Sequence, residues 1–184
     1  HDLKTRDDVQ GWMMEKVARL CIHLGARPLA WEQAMRGHNG GIGHNAILMS
    51  WTGQEAGIKA AEAGYDVVMT PAQHVYLDMA QSDDPDDWGA SWAAITTLAD
   101  TINWDPIHPK ATHVEDRIIG IQGAFWGEFT QYDEQLYPML APRILGVATK
   151  AWEACGKTTG PELSVQAGAY GKLFKAMEWA SSSN

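Results

Sequence analysis

Cysteine is scarce: the two that occur, Cys21 and Cys155, lie far apart and form no C-x-x-C spacing. They cannot build a disulfide framework, and Cys21 falls on the apolar face of an expected helix, where a buried free thiol is the expectation. Long apolar runs are missing as well; none approaches the ~18 residues that a bilayer-spanning helix needs. Basic residues are outnumbered, 14 Lys and Arg against 23 Asp and Glu, for a formal net charge of -9. A surface of that sign repels a phosphate backbone, which argues against a nucleic-acid partner. None of the seven histidines sits in an H-E-x-x-H arrangement, so no metal is expected, and no cofactor either. The acids Asp83, Asp84, Asp86 and Asp87 lack EF-hand spacing and read as a solvated loop. No leader-like segment opens the chain, which begins at His1 rather than Met. That start is the one expected of a processed or truncated chain, and it leaves the compartment open between bacterial cytoplasm and periplasm.

What the sequence does hold is enough for one sizeable core, and residues 1–184 read as one domain. Nine tryptophans are present, of which about half are expected in the core and half around a site. Val9, Trp12, Met13, Val17, Leu20, Cys21 and Leu24 recur at helical spacing, predicting an amphipathic helix over 7–24, capped by Asp7 or Asp8 and closed by Gly25. Strands are predicted at 27–31, 46–51, 66–70 and 117–124. A Gly-rich loop, 37–44, follows the first and is expected to be mobile over the site, and a helix over 54–63 follows the second. Trp88, Trp92, Ile95, Ala99 and Ile102 recur at helical spacing, which points Trp88 and Trp92 at the core. Pro142 opens a helix burying Ile144, Leu145, Ala148 and Trp152, and Gly160-Pro161 introduces a last helix with Leu173, Phe174 and Met177 inward. Strands alternate with helices, the pattern of an α/β fold with a parallel sheet.

The ends of the apolar runs carry the chemistry. Trp31-Glu32, Trp51, Tyr76-x-Asp78 and Trp126-x-Glu128 each follow a strand-like run. Carboxyl ends of parallel strands converge on the face where α/β folds place their sites. Aromatic faces suit the C–H faces of a sugar ring, and carboxylates suit its hydroxyls, so the set reads as a carbohydrate site.

In order, Trp31-Glu32, Trp51, Tyr76-Leu77-Asp78, Trp104-Asp105-Pro106, Gly120-x-Gln122-x-x-x-Trp126-x-Glu128, Pro142-Arg143 and Trp152 resemble the family-20 glycoside hydrolases, the β-N-acetylhexosaminidases. The resemblance implies an (β/α)8 TIM barrel, of which this chain covers roughly strands five to eight. It implies hydrolysis of terminal non-reducing β-linked N-acetylhexosamine by a substrate-assisted retaining mechanism, in which the 2-acetamido oxygen attacks its own anomeric carbon. Tyr76 is similar to the tyrosine that steadies the acetamide oxygen. Asp78 and Glu128 resemble the carboxylates gripping hydroxyls, Trp31, Trp51 and Trp126 the acetamide-pocket walls, and Trp104 a residue of the pocket or its rim. Taken singly, Tyr76 and Trp126 also fit a core, Glu128 a cap or ion pair, and Trp104 a turn; their joint order favours function.

The family's catalytic Asp-Glu pair, at the end of strand four, has no counterpart. Asp133-Glu134 falls after Trp126-x-Glu128 and reads as the start of a surface helix. Arg6, Arg19, Arg27 and Arg36 are in the wrong context for the family's early arginine, and Thr149-Lys150 stand where it often has an acid. The isolated chain is therefore expected to be inactive, with the N-terminal half of the barrel as its partner, as another chain or a removed segment. Four strands without the other four leave open edges, and Ile118, Ile119 and Ile121 are too apolar to stay in water. A non-catalytic carbohydrate-binding or structural half-barrel is the alternative.

Overall fold

A computed structural model describes residues 3–153 and 157–179; Cys155 lies outside them. The chain divides into two compact units. One takes in the chain up to Met69 together with Ile107–Gly120, and the other takes in Thr70–Pro106 and the chain from Ile121 onward.

The first unit opens on α1 (Arg6–His23), which is capped by Thr5 rather than by Asp7 or Asp8. The Thr5 hydroxyl accepts from the Asp8 N–H at 3.1 Å and the Asp8 carboxylate accepts from the Thr5 N–H at 2.9 Å, a reciprocal cap that satisfies two orphan donors. Past its C-terminus Gly25 takes φ +76°, as a closing glycine should. The apolar stripe of this helix is not core. Val9, Met13, Val17 and Leu20 are exposed, Leu20 at 58%, and Cys21 is half-buried rather than buried. The buried side is Asp8, Gly11 and Ala18. Polar bonds seat it: Asp8 to the ring and N–H of His38, Glu15 to Asn39, and Gln10 to the Gln33 carbonyl. Periodicity located the stripe correctly but could not tell what covers it.

The sheet of this unit runs β1 (Leu29–Trp31), β2 (Ile47–Ser50), β3 (Asp66–Met69) and β4 (Ile118–Ile121), in that spatial order. The β1–β2 and β2–β3 pairs are parallel, with Trp31 opposite Met49 and Met49 opposite Val68. The predicted strands are all present, each shorter by one to four residues at one or both ends. Helix α2 (Gln54–Glu62) packs Ala60 and Ala61 over Leu48, Val67 and Met69, all buried. The Gly-rich loop is tied down rather than free. Its Gly40 carbonyl accepts from the Tyr65 hydroxyl at 2.7 Å, His44 sits edge-on to Tyr65, and Ile42 N–H reaches the Ala34 carbonyl. At the amino ends of the strands Asp66 accepts from Arg27 at 2.5 Å and from Arg117 at 3.2 Å, joining the residues that precede β1 and β4 to β3.

The second unit holds the short helix α3 (Ala72–Val75), then turns and irregular chain, then α4 (Asp133–Leu140), α5 (Arg143–Trp152) and α6 (Gly160–Ala176). Asp133 and Glu134 are exposed in the first turn of α4, as expected. No helix forms over 88–102, and Trp88 and Trp92 are exposed rather than core-facing. The five apolar residues there are spaced by turns that fold back on the chain, a spacing indistinguishable from a helical one over so short a stretch. In α5 the buried residues are Arg143, Gly146 and Lys150. Ile144 and Leu145 are half-buried, Ala148 is exposed, and Trp152 is 90% exposed, so the expected inner face is rotated. In α6 Leu163 and Phe174 are buried, whereas Leu173 and Met177 are exposed. Of the nine tryptophans only Trp104 is buried, not half of them.

The arginines beside Asp66, Arg27 above all, hold its carboxyl below the ordinary carboxylate value. Its stabilising effect is complete above the unfolded carboxylate pKa of ~3.9 and is lost as pH falls toward the lower folded value. Asp66→Asn should therefore cost about 1 kcal/mol at neutral pH, or ~2–4 °C in melting temperature, and flatten the acid limb of stability. Thermal melts of the two proteins between pH 3 and 7 check this; coincident acid limbs would show that the pairs contribute nothing.

Candidate functional site

The second unit builds its site on the turn that follows α3, residues 76–79. After α3 the backbone straightens at Tyr76 (φ -83°, ψ 107°). One edge then pairs with residue 124: the Leu77 N–H donates to the Ala124 carbonyl at 2.8 Å and the Ala124 N–H to the Val75 carbonyl at 2.9 Å. The other edge pairs with residue 90, whose N–H donates to the Asp78 carbonyl at 2.8 Å and whose carbonyl accepts from Ala80 at 2.7 Å. Between these two bridges the chain turns: the Met79 N–H donates to the Tyr76 carbonyl at 3.3 Å with Leu77 and Asp78 as the central residues, and all four side chains are buried. Gly89 permits the close approach, since a Cβ there would overlap the Ala80 backbone.

Asp78 is 4% exposed. Its own N–H and that of Trp126 bond the carboxylate, yet Oδ1 is buried with no partner. Burial, with a smaller push from the Glu128 charge, raises its pKa above the ordinary carboxylate value; the N–H bonds and Arg143 oppose this. Glu128 itself is exposed. The ring of Tyr76 lies 6.1 Å from that of Trp126, tilted by 51°, and 6.2 Å from that of Trp92, edge to face. Tyr76, Asp78, Trp126 and Glu128 are thus brought together, and Trp92 joins them. A buried acceptor without a donor is costly and uncommon; beside aromatic rings it suits a ligand that brings its own hydroxyl.

In the first unit the structure gives Glu32 a task the sequence did not suggest. Its carboxylate is 4% exposed and accepts from the Trp51 N–H at 3.1 Å, the Thr52 N–H at 3.2 Å, the Thr52 hydroxyl at 2.7 Å and the Gln33 amide at 3.0 Å. Gln33 in turn accepts from the Trp51 indole N–H at 3.0 Å. Glu32 is therefore an internal fastener that fixes Trp51 and Thr52. Trp31 and Trp51 are both half-buried.

Trp104 is 7% exposed, stacked at 5.3 Å on His74, with its indole N–H on the Thr101 carbonyl at 3.0 Å. The His74 ring donates from Nδ1 to the Asp100 carbonyl at 2.9 Å, and burial lowers its pKa, which keeps it neutral. Sequence reasoning missed Arg143 and Trp92. Arg143 had only the Pro142-Arg143 motif to mark it, and Trp92 carried a signal that pointed to the core. Among the described residues no group of three or more His, Cys, Asp or Glu side chains gathers to hold a metal.

A buried carboxylate, a tyrosine and exposed aromatic faces gathered around one turn are the equipment of a carbohydrate-active domain. Residues 1–155 match the Glycosyl hydrolase family 20, catalytic domain, and the chain belongs to that family, whose catalytic domains are TIM barrels. A beta-hexosaminidase of Vibrio furnissii is 30% identical over 143 residues, 77% of this chain and 23% of that protein. A beta-N-acetylhexosaminidase of Cellulomonas fimi is 35% identical over 97 residues, 53% of this chain and 19% of that protein. Among solved structures, the family-20 exo-β-N-acetylglucosaminidase of Vibrio harveyi in complex with N-acetylglucosamine superposes with a TM-score of 0.88 at 27% identity, covering 97% of this chain and 28% of that one. The chain spans about a quarter of the length of the relatives it matches.

The raised pKa of Asp78 makes its own linkage, opposite in sign to that of Asp66. The folded chain holds a proton that the unfolded one releases, so stability falls as pH rises from the unfolded value through the folded one. Asp78→Asn keeps an acceptor for the Trp126 N–H and removes the charge. It should raise stability by about 1 kcal/mol, or ~2–4 °C, at pH 7 and by less at pH 4. A melting temperature at pH 7 equal to or below the parent's would refute the view of Asp78 as a strained buried anion.

Proposed function

We propose that this chain, residues 1–184, is the sugar-binding half of a β-N-acetylhexosaminidase barrel, with β1 to β4 as its strands five to eight. The assembled enzyme removes terminal non-reducing β-linked N-acetylhexosamine, GlcNAc or GalNAc, from oligosaccharides or glycoconjugates by substrate-assisted retaining catalysis. The observation that carries this reading is the unpaired, buried Asp78 oxygen beside Tyr76, Trp126 and Glu128. In this reading Asp78 and Glu128 accept hydrogen bonds from sugar hydroxyls. The Tyr76 hydroxyl donates to the acetamide oxygen and holds it for attack on the anomeric carbon. Trp126 stacks on the sugar, and by the family's pattern Trp31 and Trp51 also contact the acetamide. Trp104 contributes as backing through its stack on His74. The acid that protonates the leaving oxygen, and the aspartate that orients the acetamide nitrogen, come from outside these residues.

The N-terminal half of the barrel is the proposed partner. The exposed apolar stripe of α1, the exposed Leu29 on β1 and Ile119 on β4 support it, since each is apolar surface with no cover within its unit. Separated from that half, the chain should self-associate in sedimentation rather than run as a 20.2 kDa monomer, and should turn over no substrate. A purified chain active at the rate of full-length relatives would place the catalytic pair inside it.

With its complementary half, the enzyme should hydrolyse an aryl β-N-acetylglucosaminide and leave the plain β-glucoside intact, because that sugar lacks the internal nucleophile. Equal cleavage of both would sink the mechanism; sugar binding without turnover would favour a carbohydrate-binding role. Tyr76→Phe should lower kcat by about tenfold or more with little change in KM, a contact that strengthens in the transition state. Glu128→Gln should act mostly on KM. The reverse pattern would exchange the two roles.

A further inference from the structure

Arg143 is the largest fully buried side chain of the second unit, at 0% exposure. A guanidinium has five N–H donors in a fixed fork, and here every one is spent on a main-chain carbonyl. Nε donates to Met139 at 3.1 Å; Nη1 to Met79 at 2.8 Å and Thr96 at 2.9 Å; Nη2 to Leu77 at 2.7 Å and Met139 at 2.7 Å. None goes to a carboxylate. The arrangement is unusual, because a buried cation is ordinarily paired with an anion, and a well-packed apolar side chain would fill the same space at lower cost.

The identity of the carbonyls gives the reason. Leu77 and Met79 flank Asp78, and Thr96 donates its N–H to the carbonyl of Ala80, the next residue along. The Leu77 and Met79 carbonyls lie on either side of Asp78 in the turn that the Met79 N–H closes on the Tyr76 carbonyl, and the carbonyl of Asp78 itself accepts from the Ala90 N–H. With the carbonyls before, at and after Asp78 all bonded, the backbone that carries its side chain is held in place. Because no anion neutralises Arg143 directly, its field remains available to the acids around it, Asp78 and Asp87.

We propose that Arg143 is the positioning residue of this site: by gripping the carbonyls on either side of Asp78, it fixes where that carboxyl group is held for sugar hydroxyls and places a positive charge beside it. The charged groups facing Asp78 are Arg143 from α5 and Glu128 from the chain after β4, with Asp87 acting on Arg143 from its own loop. Burial lowers the arginine pKa to about 10, so it is still a cation at every pH where a glycosidase is assayed. Arg143 pulls the Asp78 pKa down while burial and Glu128 push it up.

The inference rests on the proposed role of Asp78, and the test separates the two. In the assembled enzyme, Asp78→Asn addresses that role; if KM for the aryl β-N-acetylglucosaminide is unaltered, the site assignment fails whatever Arg143 does. With Asp78→Asn impaired, Arg143→Lys keeps the charge but loses the fork, and should raise KM about tenfold while kcat changes less and the acid limb of kcat/KM stays in place. Arg143→Gln loses the charge as well, and its acid limb should move up by about one pH unit. Adding Glu128→Gln to it should bring that limb back down, a compensation that a purely structural role would not produce. A KM within twofold of the parent for Arg143→Lys, or an unmoved acid limb for Arg143→Gln, overturns the proposal. So does loss of the near-ultraviolet circular dichroism of either variant, which would make Arg143 a post on which the whole unit stands.

Discussion

The turn at 76–79, bridged to residue 124 at its start and to residue 90 at its end, is the constraint on which the second unit depends. Helix α3 is only four residues long, and its chain leaves at Tyr76. Had the helix continued, residues 76 and 78 would stand about 200° apart around its axis and could not face one ligand. In the turn, the Tyr76 ring meets that of Trp126 and the Asp78 carboxylate accepts from the Trp126 N–H. Because the turn is bonded to 124 at one end and to 90 at the other, both of its ends are fixed by main-chain bonds. Tyr76 and Asp78 therefore inherit their positions from main-chain bonds, not from side-chain packing, and substitutions at the surface have little leverage on them.

Three carboxylates with different surroundings show what burial alone does not decide. Glu32 is as buried as Asp78, each at 4% exposure, but four donors bond it, and its bonds go to the structure of Trp51 and Thr52. Asp66 is part-exposed between two arginines, so ionisation is favoured. Asp78 has an oxygen with nothing to bond, and its neighbour Glu128 carries the same charge. A buried group lacking a partner costs on the order of 1–3 kcal/mol. The first two acids stabilise the folded chain and the third destabilises it, which is the sign expected of a group kept for binding.

What could be read from the sequence follows from how local the physics is. The strands were legible because β-branched and aliphatic residues cluster at 47–50, 66–69 and 118–121, and their ends were overrun because the turn residues after them are apolar too. Tyr76, Asp78, Trp126 and Glu128 were legible because a two-residue spacing after an apolar run is a local signal. The faces of α1, α5 and α6 were not, since which side of a helix is covered is decided by distant chain. In α5 the buried side carries an arginine and a lysine, the reverse of any hydropathy rule, because main-chain carbonyls rather than apolar side chains receive Arg143. Glu32 shows the same limit: next to a tryptophan at a strand end it looks like a ligand group, and only the positions of Trp51 and Thr52 reveal that it is bonded inside the fold.

The seating of α1 sharpens the question of what the first unit lacks. Its bonds to His38, Asn39 and Gln33 each contribute about 1 kcal/mol at best, and the ones that lie at the surface contribute less. Covering Val9, Met13, Val17 and Leu20 would be worth roughly 1.5–3 kcal/mol for each side chain fully buried. The apolar side of the helix thus holds more unrealised stabilisation than its polar side supplies. Helices in proteins draw most of their stability from packing an apolar face, so an arrangement that seats α1 by its polar face and leaves the stripe in water is stable only by a margin that a neighbour on the stripe would widen. On a barrel, where every helix lies between two others, such a neighbour is the ordinary condition, and its cover would fix α1, the loop tied to it through Asp8 and Glu15, and with them the Glu32 fastener that orients Trp51.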